Sequence, residues 1–226
     1  GMTQAIGAGD FTSDVPNAKM VMFLGRSYAD GIRPASLHSL QQGKANGARI
    51  VMVDPRQNAS CLYADEWIPI RPATDLALIL AMAHVLVEED LYDHDFVEKW
   101  TYGFDQLAAR AAEYPVDYVS EVTWIPQDQI IELARYLGTH HPGAMAWGLA
   151  IDQQPNGVQA GQAILALAAI TGNLDVPGGN VIGQACWGIE QPNWTGTWGY
   201  DELMTDEEAA KRIGVERYPM FAVGFK

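Results

Sequence analysis

The chain has 226 residues, 48% of them apolar, enough to build one ample core and the start of a second. Fourteen Lys and Arg against twenty-eight Asp and Glu leave a formal charge of -14, which argues against an electrostatic grip on nucleic acid or an anionic membrane, so any anionic ligand must be held by local donors. Cys61 and Cys186 are too few and too far apart for a thiolate metal site or a disulfide scaffold. The longest apolar stretch, around Ala77 to Val87, is too short to span a bilayer; no basic and apolar signal segment opens the chain, and the compartment is left open between cytoplasm and periplasm.

In chain order, the apolar run Met20 to Leu24 ends at Gly25 and reads as a strand buried on both faces, as in a parallel sheet. A helix is expected from Pro34 to near Asn46 and Gly47, followed by a strand at Arg49 to Val53 that Asp54 and Pro55 close. That makes a right-handed βαβ unit. A short strand, Glu66 to Ile70, precedes Thr74 and Asp75, either of which can cap an apolar helix running to about Val87. Further helices are expected at Asp93 to Lys99, Phe104 to Glu113 and Gln127 to Leu137, then a buried strand at Met145 to Gly148 and an Ala-rich helix at Gly157 to Thr171. The alternation predicts an α/β fold: a doubly wound, mostly parallel, Rossmann-like sheet with an irregular C-terminal extension. Ligands of such sheets sit beyond the strand ends, here Gly25, Asp54, Pro72 and Gly148. Periodicity fades after Gly178 and Gly179, so residues 1–184 are assigned to the α/β domain and 185–226 to an extension belonging to an adjacent, incomplete domain.

The loops at those ends carry the candidate chemistry. Gly25-Arg26-Ser27-Tyr28 lacks the full G-x-G-x-x-G fingerprint, which weakens a nicotinamide reading, although Gly25 permits close backbone approach by a ligand. Asp54 stands where open α/β domains place an acid for ribose hydroxyls, and Arg56 offers a planar fork for phosphate or a base carbonyl; a plain strand-ending turn is the alternative. An exposed Asp75 carboxylate after the rigid Arg71-Pro72-Ala73-Thr74 turn could accept the two parallel N–H bonds that guanine's N1 and N2 edge presents, or it could be a simple cap. Asp93-His94-Asp95 reads as a helix start, His140 and His141 as a solvent-facing loop, and Thr205 with Glu208 as a capping box. Trp187, Trp194 and Trp198 are dense enough to stack a ligand but read better as a surface for another domain.

V-D-P-R at 53–56, the A-D-x-W-I-P-I-R-P-A-T-D run from Ala64 to Asp75, and the L-x-G-N-L-x-x-P-G-G-like stretch from Ala169 to Gly179 stand in an order and spacing that resemble the molybdopterin oxidoreductases of the dimethyl sulfoxide reductase family, such as formate dehydrogenase and nitrate reductase catalytic subunits. The resemblance covers nearly the whole chain. It implies bis-molybdopterin guanine dinucleotide with molybdenum or tungsten as cofactor, and two-electron redox or oxygen-atom transfer as the full enzyme's reaction. Gly25, Arg26 and Ser27, Asp54, Pro55, Arg56 and Gln57, and Ala73, Thr74 and Asp75 would line one guanosine and pyrophosphate arm; Leu149, Ala150 and Gln153 would approach the pterin end near the metal, and Gly183 with Gln184 would close the domain beside the active site. No catalytic or metal-ligating residue is assignable: the family's iron–sulfur cysteines and metal ligand would lie upstream of this segment. The implied partners are the remaining domains and an iron–sulfur electron-transfer subunit, not nucleic acid or a membrane, and the chain alone is expected to be inactive.

Three departures bear on this reading. Arg26, Ser27 and Tyr28 replace the family's residue followed by Asn and Pro; Ala73 replaces a Gly, which requires a negative φ there; and Ile182 stands where similar formate dehydrogenases carry an Arg, which argues against formate as substrate. The competing readings are a stand-alone α/β binding or assembly module with a vestigial nucleotide site, its Trp-rich tail docking a partner, and an ordinary NAD-dependent dehydrogenase.

Overall fold

Five consecutive apolar residues can form a strand only where both faces are covered, and Met20–Leu24 (β2) is buried along its whole length. In the computed structural model, which describes residues 5–6, 11–31, 34–182 and the single positions 205, 207 and 211, β2 lies between β3 (Arg49–Val53) and β5 (Gly143–Trp147). With β4 (Glu66–Ile68) outside β3, the four strands form a wholly parallel sheet of order β4-β3-β2-β5. The chain steps outward from β2 to β4 and then returns to the opposite side of β2 as β5. Such a reversal opens a crevice at the carboxyl ends of the two strands, here at Gly25 and Gly148.

Side chains alternate between two cores, as strand geometry requires. Met20, Met22 and Leu24 join Val51, Val53, Met145 and Trp147 under α2 (Asp75–Glu88), α6 (Gln127–Thr139) and α8 (Gly157–Ile170). Val21 and Phe23 join Ile50, Met52, Ala144 and Ala146 under Leu40 of α1 (Pro34–Ala45). Helices on both faces make the sheet doubly wound, the predicted fold class. α2 and α8 are apolar almost all round because α2 is packed between the sheet, α6 and α8. The helices α3 (His94–Trp100), α4 (Phe104–Ala111) and α5 (Val116–Thr123) fill the connection from α2 to α6. Among the described residues, no helix is long and apolar enough to cross a membrane. The chain divides into the units Gly1–Gly183 and Gln184–Lys226, and all of this belongs to the first.

β5 is an edge strand whose outward backbone groups are capped by side chains. Asn173 Oδ1 accepts from the Gly143 amide (2.8 Å), Asn180 Oδ1 accepts from the Met145 amide (2.9 Å), and Asn180 Nδ2 donates to the Met145 carbonyl (2.7 Å). Asn180 also begins β6 (Asn180–Ile182), which pairs antiparallel with β1 (Phe11–Ser13). The G-N-L-x-x-P-G-G-N stretch is therefore an edge-capping device, and a Cβ at Gly179 would stand 2.2 Å from the Asn173 carbonyl oxygen. Several expected boundaries move for local reasons. β4 stops at Ile68 rather than Ile70 because Pro69 has no N–H for the ladder. α3 starts at His94 because Asp93 Oδ1 caps the Phe96 amide (2.9 Å).

Candidate functional site

The chain leaves β2 through Gly25 at φ +54°, with its amide still donating to the Val53 carbonyl (3.0 Å). A Cβ on Gly25 would lie 2.8 Å from Ala150 Cβ, and one on Gly148 would lie 2.8 Å from the Gly25 oxygen. Two strand-end glycines thus let the loops after β2 and β5 pass in backbone contact. Arg26 secures the same crossing: its guanidinium donates to the Trp147 carbonyl (2.6 Å) and lies 5.0 Å from the centre of the Tyr28 ring. Leu149 and Ala150, on the short turn α7 (Leu149–Asp152), and Gln153 just after it are exposed at this end.

The loop after β3 is tied to the loop after β2 by a buried hydroxyl. Ser60 Oγ accepts from the amides of Tyr28 (2.8 Å) and Ala29 (2.9 Å) and pairs with Ser27 Oγ (2.9 Å). The Ala59 amide and the Ser27 hydroxyl both donate to Asp30 and hold its carboxyl below the ordinary value. Among the described residues, the amides of Arg26 and Ser27 have no acceptor. Asp54 is engaged within its own turn, accepting from the Arg56 amide (2.8 Å) and Asn58 Nδ2 (3.1 Å). That turn leaves Pro55, Arg56 and Gln57 exposed, with Arg56 3.9 Å from Asp30. Each Asp54 oxygen keeps a second lone pair for a further donor.

Asp75 differs from expectation. It is not an exposed carboxylate but is only 4% accessible, and its Oδ2 accepts from Gln154 Nε2 (2.9 Å). Burial pushes its pKa up, the charge of Asp54 pushes the same way, and the Gln154 hydrogen bond opposes them. Thr74 occupies the cap position of α2, yet its hydroxyl turns back to the Arg71 carbonyl (2.7 Å). Ala73 has φ +65°, not the negative value expected. The turn that swings Asp75 inward needs the left-handed conformation, which a Cβ makes costly by about 1 kcal/mol.

The rim therefore closes on itself. Gly25 touches Ala150, Ser27 and Asp30 bind the 59–60 turn, Asp54 and Asp75 feel one another's charge, and Gln154 ties Asp75 back to the loop after β5. Ser60, Asp30 and Gln154 were not legible as site residues. Neither was a feature just beyond α7: Gln154 Oε1 and Asn156 Oδ1 are buried without a hydrogen-bond partner. Gly183 and Gln184 lie outside the described residues, as do Trp187, Trp194, Trp198 and Glu208. Asp93 and His94 have surface roles, cap and partner of Asp90 (2.9 Å), and His140 stacks on Tyr136. A surface hollow along α6, lined by Arg135, Tyr136 and His140 among others, involves none of the rim loops.

The profile of the molybdopterin oxidoreductase family matches residues 2–195. The chain belongs to this family. It is 30% identical over 203 residues to the acetylene hydratase of Syntrophotalea acetylenica, covering 90% of this chain and 27% of that one. Identity to the dimethyl sulfoxide reductase DmsA of Escherichia coli is 33% over 196 residues, covering 76% of this chain and 24% of the relative. The solved structure of acetylene hydratase from Pelobacter acetylenicus matches with a TM-score of 0.85 at 28% identity, over 96% of this chain and 29% of that one. The chain thus spans about a quarter of the length of these relatives. The resemblance to the dimethyl sulfoxide reductase family, and the fold it implied, are both confirmed, and membership carries with it a molybdopterin cofactor with molybdenum or tungsten.

Proposed function

We propose that the rim of this sheet holds one guanine dinucleotide arm of a bis-molybdopterin guanine dinucleotide. Gly25 carries the reading: at the point where strand order reverses, the loop after β2 runs bare-backboned against Ala150 and leaves the Arg26 and Ser27 amides without an acceptor, as a pyrophosphate needs. Arg26, Ser27, Pro55, Arg56 and Gln57 border the phosphates and ribose, Asp54 offers its remaining lone pairs to ribose hydroxyls, and Ala73, Thr74 and Asp75 shape the guanine end. Leu149, Ala150 and Gln153 face the pterin. The residues fit a donor-bearing ligand, because two buried amide oxygens here have no donor.

When bound, the metal on its dithiolene supplies a two-electron redox or oxygen-atom transfer reaction, and the chain's own task is to bind and orient the cofactor. The partners of the fold are the remaining domains of the enzyme and an iron–sulfur electron-transfer subunit. Any iron–sulfur cluster lies outside this chain, whose cysteines are Cys61 and Cys186. The chain alone is expected to show no turnover. The test is nucleotide binding: calorimetry should give a preference for GDP over ADP that Asp75→Ala abolishes. Equal affinity for the two nucleotides in the unaltered chain would overturn the reading.

A further inference from the structure

α5 packs on α2 and α6 with Val119 and Thr123 buried, and it leaves Asp117, Tyr118 and Glu121 exposed along its outer side. Trp124 ends the helix at φ +67°, its amide donating to the Ser120 carbonyl (3.0 Å). A bulky side chain is rare in that left-handed conformation, where glycine is the usual helix terminator. Burial does not offset the strain, because Trp124 is 66% exposed. A chain shaped for stability alone would place glycine here, so the indole serves something outside the fold.

What it serves can be read from its surroundings. The Arg71 guanidinium lies 5.6 Å from the Trp124 ring centre, and the Arg71 amide donates to the Thr123 carbonyl (2.9 Å), which holds cation and indole together. At the other end of α5, Arg110 lies 5.1 Å from the centre of the Tyr114 ring, which is 6.3 Å from the ring of the exposed Tyr118. Both ends of this face therefore already seat a guanidinium against an aromatic ring. Between them stand Asp117 and Glu121, one helical turn apart, with no cationic partner among the described residues.

The geometry points to this face of α5 as a docking surface for a Lys- or Arg-bearing patch on a separate protein chain. Tyr118 and Trp124 supply the aromatic anchors, and Asp117 with Glu121 supplies the sign of charge that steers a basic partner. A second copy of this chain would bring the same charge of -14 and set carboxylates against carboxylates. Nucleic acid and an anionic membrane are repelled in the same way. A permanently covered domain face is depleted of charge at its centre, whereas here the carboxylates stand between the rings, as in a transient contact. The inference does not depend on the cofactor reading.

The test uses an arginine-rich peptide as the probe and its glutamate counterpart as control, with fluorescence anisotropy at physiological salt and melting temperature measured on the same proteins. Trp124→Gly should not lower the melting temperature, because glycine enters the left-handed region freely, while affinity for the basic peptide should fall roughly fivefold or more. The double variant Asp117→Asn, Glu121→Gln should also weaken binding and flatten its salt dependence. Glu98→Gln, an exposed change of the same sign on α3, should leave the affinity unchanged. An equal loss in Glu98→Gln would mean that net charge and not this face attracts the peptide, and would overturn the inference. Full affinity in Trp124→Gly, or a melting temperature lowered by several degrees in it, would overturn it as well. So would protection of Trp124 from oxidative footprinting in the whole enzyme purified free of other chains, or self-association that Trp124→Gly abolishes.

Discussion

Two regions of this fold hold amide side chains with buried oxygens, and they treat them in opposite ways. At the open edge of β5, Asn173 and Asn180 use both ends of their amides: Asn173 accepts from Gly143 and donates to Thr171 Oγ1 (2.9 Å), and Asn180 brackets Met145 with one bond in each direction. At the carboxyl rim, Gln154 spends only its donor and Asn156 spends neither end within the described residues. A buried acceptor without a donor costs about 1–3 kcal/mol, so a fold built only for stability would not retain two of them in one turn. The saturated pair belongs to the architecture; the unsaturated oxygens contribute nothing of that kind.

The comparison is most exposed to challenge at Asn180. Asn180→Ala strips the Met145 N–H of its partner in a buried strand and leaves the Met145 C=O with the Ser13 hydroxyl alone (2.8 Å), so unfolding free energy by urea titration should fall by about 2–3 kcal/mol. A loss below about 0.5 kcal/mol would show that water or another group takes over the Met145 N–H, and the contrast between the regions would lose its first term. Next in size is Gly25→Ala, which places a methyl 2.8 Å from Ala150 Cβ at φ +54°. Both the clash and the left-handed backbone count against it, so a cost of about 1–3 kcal/mol is expected. Unlike Asn180→Ala, it should also weaken GDP binding when measured at a temperature where both proteins are folded.

The same contrast explains what the sequence could and could not reveal. Apolar runs such as Met20–Leu24 and Arg49–Val53 declare buried strands because strand period and burial are local properties, and glycine after a strand declares a close passage. The groups that finish the site are long-range. Gln154 reaches Asp75 across 79 positions, Ser60 meets the 27–29 loop across 31 to 33, and Asn180 meets Met145 across 35. No spacing rule records such pairs, so Asp75 looked like an exposed helix-start acid when it is a covered one. β1 and β6 escaped notice for the same reason: each has three residues, and their partners lie at opposite ends of the described chain. The Ala169–Gly179 block was legible as a family signature, but its reason, holding Asn173 and Asn180 against an edge strand, needed the fold.

Ala73 offers a gain rather than a loss. Its φ of +65° is a conformation that glycine enters without a Cβ penalty, so Ala73→Gly should stabilise the chain by about 1 kcal/mol, less the extra entropy glycine loses on folding. Thermal melting would show it as a rise of a few degrees, with GDP affinity kept or improved. A lower melting temperature would mean that the turn relaxes when Ala73 is replaced, and that the inward placement of Asp75 depends on something other than this backbone.

Asp75 itself is where the rim's unsatisfied character can be read without any ligand. Its carboxyl ionises above the ordinary value in the folded chain, chiefly because it is buried and also because Asp54 lies nearby. The unfolded chain releases the same proton near the ordinary aspartate value of about 3.9. Below that pH both states are protonated and burial carries no penalty; as pH rises through the folded value, the folded state must hold a charge that water would hold better, and stability contributed by the neutral form is lost. The Asp75→Asn variant would carry no charge at this position at any pH and could still exchange hydrogen bonds with Gln154. The difference in melting temperature between Asp75→Asn and the unaltered chain should therefore be near zero in acid and favour the variant at neutral pH, the smallest of the four effects. A variant less stable at neutral pH would show that the Gln154 bond outweighs burial, making Asp75 a structural group like Asn180. The expected sign, together with a lost preference for guanine, would mark a carboxylate kept ionised at the expense of folding because its donor arrives with the cofactor.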